Sequence, residues 1–174
     1  MHSATSAVFT PYEKRSTIIV HSFLNVRWCL FSYDRPPISF KRIEELRKYH
    51  IGTYIGGADN SLIRKAGIVP EEKSSLESLI KMLHYGRLDA VSICDIAFYP
   101  KAYQLYPADK EKFSVSRPVI QVDGSVMFSK KHPDGERLSR IFAKGLAELK
   151  RSGRLRQIVG RYYGKGQAPD GVFL

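Results

Sequence analysis

Cysteine is scarce in this sequence, and the long apolar runs that membrane spans require are missing. Only two of the 174 residues are cysteines, Cys29 and Cys94, and their separation fits no metal-binding spacing. They cannot form a disulfide framework, so we expect two free, partly buried thiols, with a single bridge as the alternative. No apolar run is long enough to cross a bilayer. Residues 1–9 lack the features of a secretion signal, and the chain contains no internal repeat.

Acidic residues are outnumbered, because 17 Asp and Glu stand against 28 Lys and Arg, a formal charge of +11. This balance favours anionic partners, including nucleic acid. The densest basic stretch lies at 150–166, where helices are predicted, and charges on helices usually form a solvated face. Nucleic-acid binding is therefore kept as an alternative only. The hydrophobic content of 43% is typical of a globular protein.

Extended and helical patterns alternate along the chain. Residues 16–34 predict two extended segments, and further strands are predicted at 50–55, 88–93 and 113–130. Helices are predicted at 38–50, 60–67, 74–86, 95–106, 135–153 and after Gly153. Ser74 and Glu77 form a capping-box pattern at the start of the third helix. This alternation favours an α/β fold with largely parallel strands, in which ligands bind beyond the carboxyl ends of the strands, here at 56–60 and 94–95.

Three strings carry a family resemblance: "TPYEKR", "SSLESLIKMLHYGRLDAVSICD" and "VMFSKKHPDGERLSRIFAKGLAELKRSGRLRQIVGRYYG". In this order and spacing they resemble the family 3 bacterial extracellular solute-binding proteins, the periplasmic amino-acid-binding subunits of ABC importers. The resemblance covers residues 5–164. It implies a periplasmic-binding-protein-like type II fold, in which two α/β lobes joined by two crossovers close on a ligand.

The resemblance also implies a domain organisation. Residues 30–118 would form a complete lobe 2, and residues 1–24 and 124–174 would form part of lobe 1. The hinge crossovers would lie at about 25–29 and 119–123. Ahead of "TPYEKR" the family has a signal peptide and the opening strands and helices of lobe 1, so the chain is expected to be an N-terminally truncated member.

A buried amino acid needs partners for both its carboxylate and its ammonium, and the resemblance implies which residues provide them. Arg15 would bind the carboxylate through its planar guanidinium, with a hydroxyl donor from Thr10. Backbone N–H groups at 58–60 would face an anion at a helix start, and Asp95 would accept from the ammonium. The full implied set of ligand-binding residues is Thr10, Arg15, Tyr54, Ala58, Asp59, Asn60 and Asp95.

Each of these residues also has a purely structural interpretation. Arg15 could be one more surface charge, and Asp95 could cap the helix that follows it. Tyr54 could simply pack, and Cys94, which stands where the family often has a ligand contact, is better interpreted as a small buried thiol.

The predicted function is capture of an amino acid or a similar small polar molecule for ABC-type import. The resemblance implies a membrane permease as partner and the periplasm as location, without metal, cofactor, nucleic acid or enzymatic activity. Self-association through the incomplete lobe is a further expectation. The alternatives are a small-molecule dehydratase on the same scaffold and the ligand-sensing domain of a receptor. Because the family's aromatic ligand contacts come largely from the missing segment, the sequence does not identify the ligand.

Overall fold

The computed structural model of the protein describes residues 15–163, which fall into two units. Among these residues, unit 1 comprises 15–26 and 121–163, and unit 2 comprises Arg27–Ile120. The chain passes from one unit to the other near residues 26 and 120, within the segments expected to be crossovers. Their function as hinges stays a prediction.

Two long strands, β1 (Thr17–Tyr33) and β5 (Phe113–Ser129), run through both units. The other strands all belong to unit 2 and are β2 (Ile51–Tyr54), β3 (Glu71–Lys73) and β4 (Ala90–Cys94). The helices of unit 2 are α1 (Asn60–Lys65), α2 (Leu76–His84) and α3 (Asp95–Leu105), with 3-10 helices at Ile43–Lys48 and Pro107–Lys112. The described helices of unit 1 are α4 (Gly135–Arg151) and α5 (Arg154–Tyr163).

The five strands form one mixed sheet in the order β3-β2-β4-β1-β5. Strand β2 is parallel to both β3 and β4, whereas β1 is antiparallel to β4. The predicted α/β class is confirmed. Two of these three pairings are parallel, as expected for largely parallel strands, and β1 is the exception. Its antiparallel position places Thr53 and Leu30 on either side of Ser92.

Both faces of the sheet in unit 2 are covered by apolar side chains. Leu30 and Phe31 are each 0% exposed, and because successive strand side chains alternate, they point to opposite faces. The Phe31 ring stacks on Phe98 of α3 with centroids 3.8 Å apart. The cluster around Phe31 includes Leu79, Ile80, Leu83, Val91 and Ile93, and the cluster around Leu30 includes Ile38, Leu46, Ile51 and Ile63. Each such buried side chain contributes about 1.5–3 kcal/mol.

The predicted capping box at the start of α2 is wrong by one residue. Ser75 is the N-cap, and its hydroxyl accepts a hydrogen bond of 3.2 Å from the Ser78 N–H. Glu77 is consequently the second helical residue, so it cannot complete a box with Ser74. The end of the helix is as predicted, because Gly86 takes the left-handed φ of +68° that stops it.

Three further details differ from the sequence-based expectation. Residues 17–33 form one continuous strand, since no glycine or proline interrupts them. The segment 38–50 contains a short 3-10 helix, which ends where Tyr49 becomes extended at φ −108°. The short strand β3 was not predicted because its sequence, Glu-Glu-Lys, has no apolar alternation.

In unit 1, helix α4 keeps only part of its apolar stripe buried. Leu146 is 9% exposed, and the Phe142 ring packs against Phe128 of β5 with centroids 5.7 Å apart. On the same helix Leu138 and Ile141 are 39% and 56% exposed. Among the helices of the described residues, none has both the length and the apolar character of a membrane span.

Candidate functional site

The carboxyl ends of β2 and β4 lie side by side in unit 2, because the parallel register pairs Thr53 with Ser92. Two segments leave the sheet at this edge: the turn at 55–59 that leads into α1, and Asp95, which opens α3 directly after β4. Ligands of open α/β sheets bind at such an edge. We therefore describe this edge, with the side chains that close it, as the candidate site.

Asp95 lies at the candidate site but is paired within unit 2. Asp95 is 1% exposed, and the Arg27 Nε–H donates to Asp95 Oδ2 over 2.8 Å. The Ile96 backbone N–H donates to Asp95 Oδ1 over 2.8 Å. The pairing follows from the antiparallel register, in which Trp28 is opposite Cys94, so that one further step brings Arg27 opposite Asp95.

This ion pair affects the groups packed beside it. Burial raises the pKa of the Cys29 thiol to about 11, with Asp95 adding to the rise and Arg27 opposing it. Burial likewise raises the pKa of Tyr99 to about 12. Cys29 and Cys94 are both free, which confirms the expectation of two unpaired thiols. Neither Cys29 nor Tyr99 is set up as a reactive group at neutral pH.

Asp59 is the second buried acid of the candidate site. It is 0% exposed, and its Oδ2 accepts a short hydrogen bond from the Ser92 hydroxyl. Burial raises the pKa of Asp59, and the hydrogen bond from Ser92 opposes part of that rise. Within residues 15–163, three buried oxygens near this pair have no hydrogen-bond partner: Asp59 Oδ1, Asn60 Oδ1 and Thr53 Oγ1.

Asn60 fixes the turn that precedes α1. Its Nδ2 donates to the Tyr54 carbonyl over 3.1 Å and to Glu72 Oε1 over 2.8 Å. These two acceptors determine the orientation of the amide, because a flipped amide would turn its oxygen toward two other oxygens. Glu72 Oε2 is bound in turn by Arg64 over 2.6 Å. The turn is therefore held to β3 by a chain of polar contacts.

The other implied ligand-binding residues have mixed surroundings. Tyr54 is 39% exposed, Ala58 is half-buried, and the Asn60 backbone N–H donates to the Gly57 carbonyl over 3.1 Å. Arg15 belongs to unit 1, where it is exposed, and Thr10 lies outside the described residues. Whether these residues bind a ligand stays a prediction.

Sequence reasoning missed Arg27 and Ser92 as members of the site. A signal for Arg27 was present, since it is the one charged residue in the otherwise apolar and aromatic run "VRWCLF". A charge in a buried strand needs a partner. No comparable signal marked Ser92, because small polar residues occur in many buried strands.

Two other features of the described residues bear on function. A cavity of about 580 Å³ in unit 1 is lined by residues of α4 and α5, among them Leu149, Arg154 and Ile158. None of the implied ligand-binding residues lines it. In the described part of the chain, no three His, Cys, Asp or Glu side chains are grouped so that they could hold a metal ion.

Solved structures share this fold. The substrate-binding protein of an amino acid ABC transporter is similar with a TM-score of 0.63 and 18% identity, over 90% of this chain and 67% of that one. The GluR0 ligand-binding core in complex with L-glutamate is similar with a TM-score of 0.71 and 14% identity, over 90% and 69%. A histidine kinase sensor domain with similarity to periplasmic binding proteins is similar with a TM-score of 0.67 and 17% identity, over 90% of this chain and 67% of that one.

These similarities confirm the predicted periplasmic-binding-protein-like two-lobe α/β fold. The chain spans about two thirds of the length of the solved proteins that it resembles. No protein-family model matches the sequence, and neither does any curated protein. At identities below one fifth the similarity concerns the fold, and the ligand has to be argued from the residues of this chain.

Proposed function

We propose that the protein captures a small polar solute, an amino acid or a similar molecule, and delivers it to the membrane permease of an ABC importer. The observation that supports this most is the fold, because the similar solved structures are a transporter binding protein, a receptor ligand-binding core and a sensor domain. The polar strand ends of unit 2 supply a suitable surface, since ligands of open α/β sheets bind at such ends.

Specific residues have roles within this proposal. Arg15 and Thr10 bind a carboxylate of the solute, the first through a bidentate, charge-assisted contact. Tyr54 and the turn at 58–60 contact the solute from unit 2, where Tyr54 is exposed. These groups bind and orient, and we propose no chemical reaction, which fits the binding and sensing proteins among the similar structures.

Calorimetry and thermal shift with a panel of amino acids and small organic acids test the proposal. A solute present at 100 times its Kd should raise the free energy of unfolding by about 2.7 kcal/mol. Arg15→Gln should weaken binding of the solute about 10-fold or more. The matched control is Arg137→Gln, which removes an exposed guanidinium of unit 1 paired with Asp134. If no compound of the panel binds to the wild-type protein, the proposed function is wrong.

A role in sensing is the second candidate, because a histidine kinase sensor domain is among the similar structures. The two roles differ in what the loaded protein does at a membrane. A transport subunit should stimulate ATP hydrolysis by its reconstituted permease complex when the solute is bound. Recovery of the protein in the periplasmic fraction would agree with the location that we propose for it, and recovery only with the cytoplasmic fraction would contradict that location.

A further inference from the structure

Asp95, the acid expected to bind a ligand's ammonium at the candidate site, is already paired with a cation of the protein. Arg27 Nε–H donates to Asp95 Oδ2 over 2.8 Å, and the Ile96 N–H donates to the other carboxylate oxygen. The side chain of Asp95 is 2% exposed, whereas that of Arg27 is 27% exposed. The guanidinium therefore covers the carboxylate. Seen from solvent, this part of the site presents the Arg27 side chain and not the Asp95 carboxylate.

The remaining acids near the strand ends are either fully buried or paired within unit 2. Asp59 is 0% exposed; its Oδ2 accepts from the Ser92 hydroxyl, and its Oδ1 is buried without a partner among the described residues. Glu72 is shared between Arg64 and the Asn60 amide, at 2.6 and 2.8 Å. Among the described residues of this edge, each acid has a partner from unit 2. None of them is left as an exposed, uncompensated acceptor for a ligand's ammonium.

An ammonium loses its hydration when it is enclosed by protein, and this loss is tolerated only where a carboxylate or several oxygens replace the water. To reach Asp95, a ligand's ammonium would have to displace the guanidinium from its ion pair with the carboxylate. A ligand without an ammonium group avoids this exchange. Its negative charge would instead lie near the partly exposed side chain of Arg27.

We propose that the solute bound at this site is a small carboxylate that lacks a protonated amine, such as a 2-oxo acid or a dicarboxylate. The proposal rests on the proposed function and narrows it, because it excludes the ordinary α-amino acids as preferred ligands. The Arg27–Asp95 pair acts here as the specificity determinant, because Arg27 neutralises and covers the carboxylate that an amino acid's ammonium would need.

Pairs of compounds that differ only at the α-carbon test this proposal. We expect 2-oxoglutarate to bind at least about 10-fold more tightly than L-glutamate, and pyruvate more tightly than L-alanine, in calorimetry with the full chain. Arg27→Gln should reverse this preference, because it uncovers the Asp95 carboxylate for an ammonium. Arg35→Gln is the matched control, since Arg35 forms an exposed ion pair with Asp89 and should leave the preference unchanged.

A second variant protects the test against misfolding. Arg27→Gln leaves a buried carboxylate without its cation, whereas the double variant Arg27→Gln with Asp95→Asn removes both charges and should fold like the wild type. In the double variant we expect the preference against the amine to fall to about threefold or less.

The outcomes separate the inference from the proposed function. If amino acids bind to the wild type as tightly as their amine-free counterparts, or more tightly, the inference is overturned while solute binding stands. If preference for the amine-free compounds survives unchanged in both Arg27 variants, the ion pair is not the determinant and the inference is again overturned. If no compound of either class binds, the proposed function itself fails.

Discussion

Replacement of Asp59 by asparagine tests how much the buried acid of the candidate site costs the fold. Asp59 is 0% exposed, and its Oδ1 has no partner within residues 15–163. Asp59 Oδ1 and Asn60 Oδ1 lie 2.8 and 3.1 Å from the point where a Cβ on Gly57 would stand, so two acceptors gather there without a donor. An asparagine keeps an oxygen for Ser92 and adds an N–H for the unpartnered Asn60 oxygen.

The gain should be about 1–3 kcal/mol, the usual cost of one unsatisfied buried polar group. For a chain of this size, each kcal/mol changes Tm by about 2–4 °C. We therefore expect Asp59→Asn to raise Tm at neutral pH by several degrees. A stabilising polar substitution at a fully buried position is unusual, which makes the result informative about the site.

The effect should depend on pH, because burial raises the pKa of Asp59 above its usual value of 3.8. The folded state then binds this proton more tightly than the unfolded state does. The stability linked to the proton is fully present below the unfolded-state pKa and is lost as pH rises through the folded-state pKa. Asparagine does not titrate. The free energy of unfolding that Asp59→Asn gains over the wild type should therefore be small near pH 3.8 and should grow with pH to a plateau.

Urea unfolding followed by circular dichroism, at several pH values, measures this difference. Asp89→Asn is the matched control of opposite sign, because the His50 backbone N–H, with Arg35, lowers the pKa of Asp89. That variant should match the wild type at pH values well below the folded-state pKa of Asp89. It should become less stable than the wild type as pH rises toward 3.8, with a constant difference above that value. If Asp59→Asn is less stable than the wild type by the same amount at every pH, the reasoning about the buried acid is refuted.

Three further experiments probe unit 2. Gly52→Ala should lower the free energy of unfolding by about 1–3 kcal/mol, because the new Cβ would lie 2.5 Å from Leu88 Cδ1; an unchanged urea midpoint would contradict this packing. Ser75→Ala should cost about 1 kcal/mol and Ser74→Ala much less, since Ser75 is the N-cap, and equal losses would reinstate the capping box. Because its pKa is about 11, Cys29 should react with iodoacetamide much more slowly in the folded than in the urea-unfolded protein, and similar rates would argue against its burial.

Local signals in the sequence predicted α1, α2, α3, β2 and β4 of unit 2, but not the short strand β3. The spacing of Leu79, Ile80 and Leu83 predicts α2, and all three are buried in the structure. The error at Ser74 shows the limit of such signals. Two adjacent serines offer the same hydroxyl, and only the phase of the buried face decides which one caps the helix.

Long-range contacts explain what the sequence did not predict at the site. The strand-end rule correctly located Asp95 at the edge of the sheet, but its partner Arg27 is 68 residues away. Their contact depends on β1 being antiparallel to β4 in the register that pairs Trp28 with Cys94. Alternation of strands and helices favours parallel pairing, so this register could not be deduced from the pattern. The charge in an apolar strand could be seen, but its partner could not.

The charge balance of the chain gives the proposed ligand class an independent physical basis. With a formal charge of +11, the protein attracts small anions and raises their concentration near its surface. The acids at the strand ends do not reverse this attraction locally, because Asp95 is neutralised by Arg27 and Glu72 by Arg64. A carboxylate therefore meets a favourable long-range field and, at the site, the partly exposed side chain of Arg27. An ammonium meets an unfavourable field and acids that already have partners, so long-range attraction and short-range pairing favour the same kind of ligand.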